Sequence, residues 1–311
     1  MPNRQAALDE QTEPHLDLSV NDSPLWNAAE SLDPTGSESA LERLLLANDT
    51  LVVERHTNKY SISNSAGEQV GFIAEEPGGF LSSFNRQILS THRPFKALVM
   101  DPSGTPILFV RRPFAWINSR MYVQRPNPGQ EVIQTSSSSE AVLDTFAEVQ
   151  QIWHPFRRRY DLFLRESPKR ILSLASDLQP EPELDSDTFN QMGKVDAPFL
   201  AWNFTVEDAA AQEIAFISRN FRGFDIYRHW RVPSRFLDHF SGLIDFLGQY
   251  LLHFGPRPQV DTTGNLLYPT ESSRLILEQR ALILALAVNI DFDYFSRHSG
   301  GPGFFHFGAW D

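Results

Sequence analysis

Apolar and polar residues alternate in short runs between residues 50 and 220, which predicts β-strands joined by tight turns. Residues 59–62 and 70–73 alternate around a turn at residues 64–67, and together they predict a hairpin. A second hairpin is predicted at 97–100 and 107–110, because the connecting residues DPSG have favourable turn chemistry. Further strands are predicted at 51–53, 159–164, 199–204 and 213–217, and loops at 135–139 and 177–187.

The first hairpin has a second copy in the sequence. KYSISNSAGEQVGFIAEEPGGF, from Lys59, aligns without a gap with NFTVEDAAAQEIAFISRNFRGF, from Asn203, at an offset of 144 residues. The preserved alternation indicates two related β-halves in one barrel of pseudo-twofold symmetry. Two unrelated amphipathic hairpins are the alternative interpretation of the same pattern.

The most apolar stretch of the chain is ALILALAVNI, residues 281–290, in which Asn289 is the single polar residue. A helix of this length reaches only about 15 Å, whereas the hydrocarbon core of a membrane is about 30 Å thick. Charged residues flank the stretch, and each one brought into lipid costs roughly 2.5 to 3.5 kcal/mol. A short helix that is apolar on all faces is typical of a buried core helix. The strands that precede it can form the surrounding wall.

The prediction is therefore a mainly β fold, a closed antiparallel barrel around a hydrophobic C-terminal helix at about residues 273–292. Ser272 or Ser273 is expected to cap the helix. The core-facing residues of the helix are predicted to be Leu282, Ile283, Leu284, Leu286, Val288 and Ile290.

Composition narrows the classes of function. The formal net charge of −12 argues against broad nucleic-acid binding, and the absence of Cys excludes disulfides, thiolate metal sites and Cys nucleophiles. The sequence contains no GxSxG, P-loop, GxGxxG or HExxH motif, so no enzymatic activity is expected.

The two ends of the chain are expected to lie outside the barrel. Residues 1–40 are acidic and polar, which predicts a disordered tail that can hold protein partners. Neither a transit peptide nor a secretory signal is recognisable there. Residues 300–311 are predicted to be a short tail rich in Gly and aromatic residues.

Several blocks of residues 41–299 resemble the phospholipid scramblase family, in wording closest to its fungal branch. They include THRPFKALVMDPSGTPILFVRRPFAWINSRMYV, WHPFRRRYDLFL and EQRALILALAVNIDFDYFSRHS. The resemblance implies a tubby-like fold, with twelve strands around the final helix. It also implies Ca²⁺-stimulated, bidirectional movement of phospholipids across a membrane, at the plasma membrane or the mitochondrion.

The Ca²⁺ segment that the resemblance implies is poorly matched. Its nearest counterpart is IDFLGQY, residues 244–250, in which only Asp245, Gly248 and Tyr250 fit the family wording. Because Ca²⁺ takes six to eight oxygen ligands and Leu247 stands where one is expected, tight Ca²⁺ binding is not expected. Asp245 is the possible metal ligand in this segment.

Basic residues cluster at one place in this acidic chain, namely Arg157, Arg158 and Arg159, followed by Lys169 and Arg170. The cluster is predicted to bind anionic lipid headgroups, at about 1 kcal/mol per basic residue near a membrane surface. The alternative is a solvated strand face.

Two further groups each allow two interpretations. Asp291 and Asp293 have the spacing of an acid/base pair, but they are expected to end the helix and return to solvent. The aromatic residues Phe114, Trp116, Trp153 and Phe156 suit a membrane interface, although alternating aromatics in a barrel more often belong to the core.

Two functions follow. The first is an ATP-independent phospholipid scramblase. The second is a lipid-headgroup-binding or adaptor protein on the same barrel, without scrambling activity.

Overall fold

The structure of the protein is a computed structural model that describes residues 34–56, 59–75, 94–115, 117–127, 133–135, 138–140, 142–166, 171–174, 189–219, 249–257, 259–260, 266–267 and 275–295. Helix α1 begins at Pro34, before the Leu41 boundary expected from the sequence. Residues 34–40 of the tail expected at 1–40 are therefore helical rather than disordered, while 1–33 and the tail expected at 300–311 lie outside the described residues.

Strands dominate the described chain. After helix α1 (Pro34–Leu45) come β1 (Thr50–Arg55), β2 (Lys59–Asn64), β3 (Gln69–Glu75), β4 (Phe95–Met100), β5 (Pro106–Arg112), β6 (Arg120–Pro126), β7 (Ile133–Thr135), β8 (Ser138–Glu140), β9 (Val142–Ile152), β10 (Arg157–Arg165), β11 (Ile171–Leu174), β12 (Phe189–Pro198), β13 (Asn203–Glu207), β14 (Glu213–Ser218), β15 (Gln249–His253), β16 (Gln259–Val260) and β17 (Leu266–Leu267). Helix α2 (Leu277–Ile290) and one π-helical turn (Asp291–Phe295) follow.

Twelve of these strands form a closed antiparallel barrel. The order around the ring is β1-β2-β3-β4-β5-β6-β9-β10-β12-β13-β14-β15, and β15 pairs with β1 to close it. Strand β11 adds to β9 outside the ring, and β7–β8 and β16–β17 are separate small hairpins. The predicted fold class, a mainly β barrel around one C-terminal helix, is confirmed.

Helix α2 lies in the core. Its residues 281–286 are fully buried, and the helix packs together with inward-facing residues of the strands and with Leu41, Leu44 and Leu45 of α1. Side chains alternate between the two faces of a strand, so in β10 Tyr160 and Leu162 face the interior while Asp161 between them faces outward. The prediction that Leu282, Ile283, Leu284, Leu286, Val288 and Ile290 belong to the core is confirmed, since none is more than 2% exposed.

The start of the helix differs from the prediction. Helix α2 begins at Leu277, and its capping residue is Ile276 rather than Ser272 or Ser273. The side-chain Oε1 of Gln279 accepts a hydrogen bond from the Ile276 backbone N–H at 3.0 Å, as the third residue of a capping box does.

The repeated segments form two matching hairpins, β2–β3 and β13–β14. In the first, Asn64 Oδ1 accepts hydrogen bonds from the N–H groups of residues 66 and 68, and Gly67 has φ 81°. In the second, Asp208 Oδ1 accepts from residues 210 and 212, and Ala211 has φ 56°. Ile62 pairs with Gly71 where Val206 pairs with Ala215, again at the offset of 144. In the ring the hairpins are separated by two strands on one side and six on the other.

Two local predictions change. The strand expected at 199–204 begins only at Asn203, and Phe199 and Leu200 lie in the preceding turn. The loop expected at 135–139 contains parts of the small β7–β8 hairpin. The loop expected at 177–187 lies outside the described residues.

Candidate functional site

Two aspartates after helix α2 bind the barrel wall from inside. Asp291 is 1% exposed, and its carboxylate accepts hydrogen bonds from the hydroxyls of Tyr60 (2.8 Å) and Tyr250. Arg55, the last residue of β1, places Nη1 3.0 Å from Asp291 Oδ2. Strands β1, β2 and β15, which are neighbours in the ring, are therefore joined to the helix by one carboxylate.

Asp293 makes the equivalent contacts on other strands. Arg112, the last residue of β5, places Nη2 2.7 Å from Asp293 Oδ1, and Tyr160 of β10 donates its hydroxyl proton to Oδ2 at 2.7 Å. Between the two aspartates, the ring of Phe292 lies 4.6 Å from the Arg112 guanidinium carbon and 4.9 Å from the Phe95 ring. We refer to Arg55, Tyr60, Arg112, Tyr160, Tyr250, Asp291 and Asp293 as the Tyr–Asp–Arg cluster.

Burial controls the protonation of this cluster. Burial, reinforced by the Asp291 carboxylate, raises the pKa of both Tyr60 and Tyr250 well above the usual value. Burial alone lowers the pKa of Arg55, but Tyr60 and Asp291 outweigh it and the net direction is upward. The tyrosines therefore stay protonated and keep donating to Asp291.

Arg219, after β14, extends the charged region. Its guanidinium carbon lies 5.8 Å from the centre of the Tyr250 ring and 5.5 Å from that of Trp202. Burial lowers the pKa of Arg219, an effect that the nearby Tyr250 and Asp291 oppose. The Arg219 guanidinium thus lies between Tyr250 of the buried cluster and Trp202 in the connection after β12.

The other end of helix α2 is bound by Arg280. Its Nη1 donates to the backbone carbonyls of Leu45 (2.7 Å) and Asn48 (3.0 Å), and its Nη2 donates to Asp49 Oδ1 (3.0 Å). The guanidinium also lies 4.9 Å from the centre of the Phe254 ring. Both ends of the helix are thus held by charged side chains, which opposes sliding of the helix out of the barrel.

The contacts at the two ends of α2 give the barrel two distinguishable ends. We name them the Asp291 end and the Arg280 end. Since β1 starts next to the Arg280 contacts and finishes at Arg55, antiparallel order places the connections 113–119, 153–156 and 199–202 at the Asp291 end.

The expectation that Asp291 and Asp293 return to solvent is wrong. Both are buried, at 1% and 4% exposure, and the π-helical turn directs them into the barrel wall rather than away from it. Since their oxygens bind guanidinium and hydroxyl groups, the pair is suited to holding the helix in place rather than to acid/base catalysis.

The basic cluster is divided by the strand. Arg157 and Arg159 point outward, with 44% and 43% of their side chains exposed, and both approach the single carboxylate of Asp196. Arg158 points inward and is 7% exposed, with Nη1 donating to the Ala201 carbonyl and its guanidinium over the rings of Phe199 and Phe204. The alternation of side chains along a strand is the reason. Lys169 and Arg170 lie outside the described residues.

The Asp291 end also exposes large apolar side chains. Of the ten large hydrophobic residues exposed in the described structure, seven belong to its three connections, and we call these seven the apolar rim: Phe114, Ile117, Trp153, Phe156, Phe199, Leu200 and Trp202. The more common interpretation of Phe114, Trp153 and Phe156 as core residues is therefore wrong, because they lie in connections rather than on the inner face of strands. Trp116 lies outside the described residues.

Hydrogen bonds hold the three connections of the rim against one another. Asn118, with φ 56°, accepts the N–H of Trp153 on its Oδ1 at 2.8 Å, and Phe199 N–H donates to the Phe156 carbonyl at 3.2 Å. The connections join the strand pairs β5–β6, β9–β10 and β12–β13, which follow one another around half of the ring. The rim is therefore a continuous surface whose three connections are fixed to one another by hydrogen bonds.

The residues predicted for Ca²⁺ are not brought together by the structure. Tyr250 faces the interior and donates to Asp291, while Asp245 lies outside the described residues. Within the ranges that the structure describes, no three His, Asp or Glu side chains are grouped so that they could hold a metal ion. Also within those ranges, no helix has the length and apolar character needed to cross a membrane.

Arg55, Tyr60, Arg112 and Tyr160 were not predicted to be site residues. A signal was present in the sequence, because Tyr60 and Tyr160 occupy the inward positions of alternating strands and Arg112 ends an apolar strand, ILFVRR. Their common partner, the DFD segment after α2, could not be recognised without the three-dimensional arrangement.

Comparison with known proteins gives one family. A family model described as Scramblase matches residues 41–297. A phospholipid scramblase family protein of Schizosaccharomyces pombe is 34% identical over 281 residues, which cover 83% of this chain and 62% of the relative. Altered inheritance rate of mitochondria protein 25 of Saccharomyces cerevisiae is 32% identical over 286 residues, covering 85% of this chain and 76% of that protein. The chain thus spans less than two thirds of the length of the fission-yeast relative.

Proposed function

This chain belongs to the scramblase family, and we propose that it moves phospholipids in both directions between the two leaflets of a membrane without ATP. The observation that carries the proposal is the match of the family model over residues 41–297, which includes the whole closed barrel and helix α2. The sequence has no P-loop for nucleotide binding, which is consistent with movement down a gradient rather than pumping.

The geometry supports lipid contact on the outside of the barrel. Helix α2 occupies the interior, and Arg280 at one end and the Tyr–Asp–Arg cluster at the other bind it to the wall. A lipid passing through the centre would have to displace this helix and leave its charged partners buried and unpaired, at several kcal/mol for each ion. We therefore propose that headgroups interact with the exposed guanidinium groups of Arg157 and Arg159.

We further propose that the activity does not require Ca²⁺. In the segment 244–250 the hydroxyl of Tyr250 is engaged by Asp291, and Asp245 is the remaining carboxylate there. One carboxylate falls far short of the six to eight oxygen ligands that Ca²⁺ takes. Membrane association is part of the proposal, and the name of the budding-yeast relative makes a mitochondrial membrane the first compartment to examine.

Lipid exchange in reconstituted vesicles tests the proposal. Purified protein is added to vesicles carrying a fluorescent phospholipid, and a membrane-impermeant quencher reports how fast inner-leaflet lipid reaches the outer leaflet. We expect faster exchange than in protein-free vesicles, equally in Ca²⁺ and in chelator. Unchanged exchange with protein demonstrably bound would reject scrambling.

A second candidate function is headgroup binding or an adaptor role on the same barrel, with protein partners held by the acidic segment 1–40. The position of helix α2 favours it, because the helix is buried inside the barrel and both of its ends are bound to the wall. Binding to anionic vesicles without lipid exchange would identify this function.

A further inference from the structure

We propose that the apolar rim is the surface by which this protein docks on an anionic phospholipid membrane, with the Asp291 end of the barrel facing the bilayer. The inference rests on the proposed membrane-lipid function and adds to it the surface and its orientation. The most exposed members of the rim are Phe156 and Leu200, each 76% exposed.

The distribution of apolar side chains favours a docking surface. Seven of the ten exposed large hydrophobics in the described structure lie in three successive connections at one end of the barrel, rather than singly over the surface. Scattered apolar residues on a protein surface are ordinary, whereas a contiguous group marks an interaction site. Hydrogen bonds between the connections, such as Trp153 N–H to Asn118 Oδ1, fix the backbone of the rim. The rim therefore does not have to become ordered when it binds.

The residue types favour a bilayer interface. The rim combines Trp and Phe with aliphatic residues, and amphipathic aromatic rings such as Trp concentrate at the headgroup level of membranes. Trp202 and Trp153 are half-exposed or more, at 50% and 65%. The three connections of the rim can enter the membrane by about a few ångströms, while the hydrogen-bonded strands behind them stay outside the hydrocarbon.

Charge complementarity identifies the membrane as anionic. Three exposed guanidinium groups surround the rim, those of Arg120, Arg157 and Arg159, each 43% to 50% exposed. Asp196 is shared by two of them, and Glu148, the partner of Arg120, is buried. The described residues beside the rim thus present positive charge on a chain whose formal net charge is −12, which orients the rim toward an anionic surface.

Fluorescent labels at single positions test the orientation. Because the chain has no Cys, Phe156→Cys and Leu200→Cys can each carry one environment-sensitive fluorophore, and Ser65→Cys in the turn at the Arg280 end is the control. On addition of vesicles of phosphatidylcholine with phosphatidylserine, we expect a blue shift at positions 156 and 200 and none at 65. A shift at 65 with none at 156 or 200 overturns the inference.

Vesicle sedimentation tests the energetic role of the rim. The double variant Phe156→Ser, Leu200→Ser is expected to bind these vesicles roughly tenfold more weakly than the wild type, since interfacial binding scales with the apolar area buried. Leu172→Ser, which removes a 43% exposed leucine from β11, is the matched control and is expected to bind unchanged. Arg157→Gln with Arg159→Gln is expected to remove the preference for phosphatidylserine.

Three results would overturn the docking surface. They are wild-type protein that sediments neither with vesicles of phosphatidylcholine alone nor with those that contain phosphatidylserine, a rim variant that binds as tightly as the wild type, and a rim variant whose effect is to turn a dimer into a monomer. The last result would assign the rim to a second copy of this chain. Because sedimentation does not depend on lipid exchange, rim-dependent binding without exchange rejects scrambling and leaves the docking surface in place.

Discussion

Arg112 and Asp293 form an ion pair inside the barrel, with Nη2 of the arginine 2.7 Å from Oδ1 of the aspartate and side-chain exposures of 3% and 2%. The pair joins the last residue of β5 to the turn after α2. Removing two charges from water is costly, so such a pair specifies where the helix end lies more than it adds to net stability.

Breaking this pair is expected to destabilise the protein strongly. Arg112→Met leaves the Asp293 carboxylate buried without its cation, which should lower the free energy of unfolding by about 3 to 5 kcal/mol. Arg112→Met with Asp293→Asn should recover most of that loss, since both charges are gone and Tyr160 keeps an acceptor. Urea denaturation measures both values.

The exposed pair of Arg157 and Asp196 is the matched control for that experiment. Arg157→Met is expected to change the free energy of unfolding by about 1 kcal/mol or less, because exposed ion pairs contribute little. Equal losses for Arg112→Met and Arg157→Met would contradict the role given to the buried pair.

The barrel and its central helix could be predicted from the sequence, because both depend on hydrophobic periodicity. Alternation in β2 and β13 marked the strands, and ten uncharged residues between charged flanks were too few for a membrane span. The inward position of Arg158 could also have been predicted from the sequence, since Arg158 is two residues from Tyr160 and therefore lies on the same strand face.

Asn289 is predicted to destabilise the native protein. It is fully buried in α2, and neither of its side-chain polar atoms has a hydrogen-bond partner in the described structure. Asn289→Leu should raise the free energy of unfolding by about 1 to 3 kcal/mol, because an unsatisfied amide is replaced by an apolar group of similar size. Thermal unfolding checks this.

The reverse change at a neighbouring position is the control for Asn289→Leu. Leu286→Asn, also fully buried, should destabilise the protein, because it places a polar amide among apolar core residues. A loss of stability in Asn289→Leu would indicate that the amide has a role that the described contacts do not include.

Helix α2 is expected to stay in the barrel when the protein binds a membrane. A single cysteine introduced as Ala285→Cys, at a fully buried position, should react with a water-soluble thiol reagent at least about a hundredfold more slowly than Ser65→Cys on the surface. The same protection is expected after anionic vesicles are added, since Arg280 and Asp291 hold both ends.

Loss of protection on vesicle binding would contradict that expectation. If Ala285→Cys remains closed to the water-soluble reagent but reacts with a lipid-soluble one only when vesicles are present, the helix has left the barrel for the bilayer. A helix that remains protected from both reagents is the expected result.

The burial of the aspartates could not be predicted from the sequence, and the choice between core and interface for the rim aromatics could not be decided, for a common physical reason. Both depend on which chain segments meet at one end of the barrel. The sequence of DFDYF is compatible with a helix end in water until Arg55 and Arg112 are placed beside it. Likewise Phe156 is a residue type that is usually buried, and it is exposed because it lies in a turn.

Stability is predicted to fall as the pH falls below about 6.5 because of His253. Burial lowers its pKa, while Asp49 and Glu213 oppose the shift and Arg280 supports it. Below the usual histidine pKa the unfolded chain therefore binds a proton that the folded protein excludes, so protonation favours unfolding. Above that pH both states are neutral at this site and the effect is absent.

His253→Gln, which can still hydrogen-bond Thr50, should flatten the dependence of unfolding free energy on pH between about 7.5 and 5.5. Equal slopes for wild type and His253→Gln would contradict the assignment.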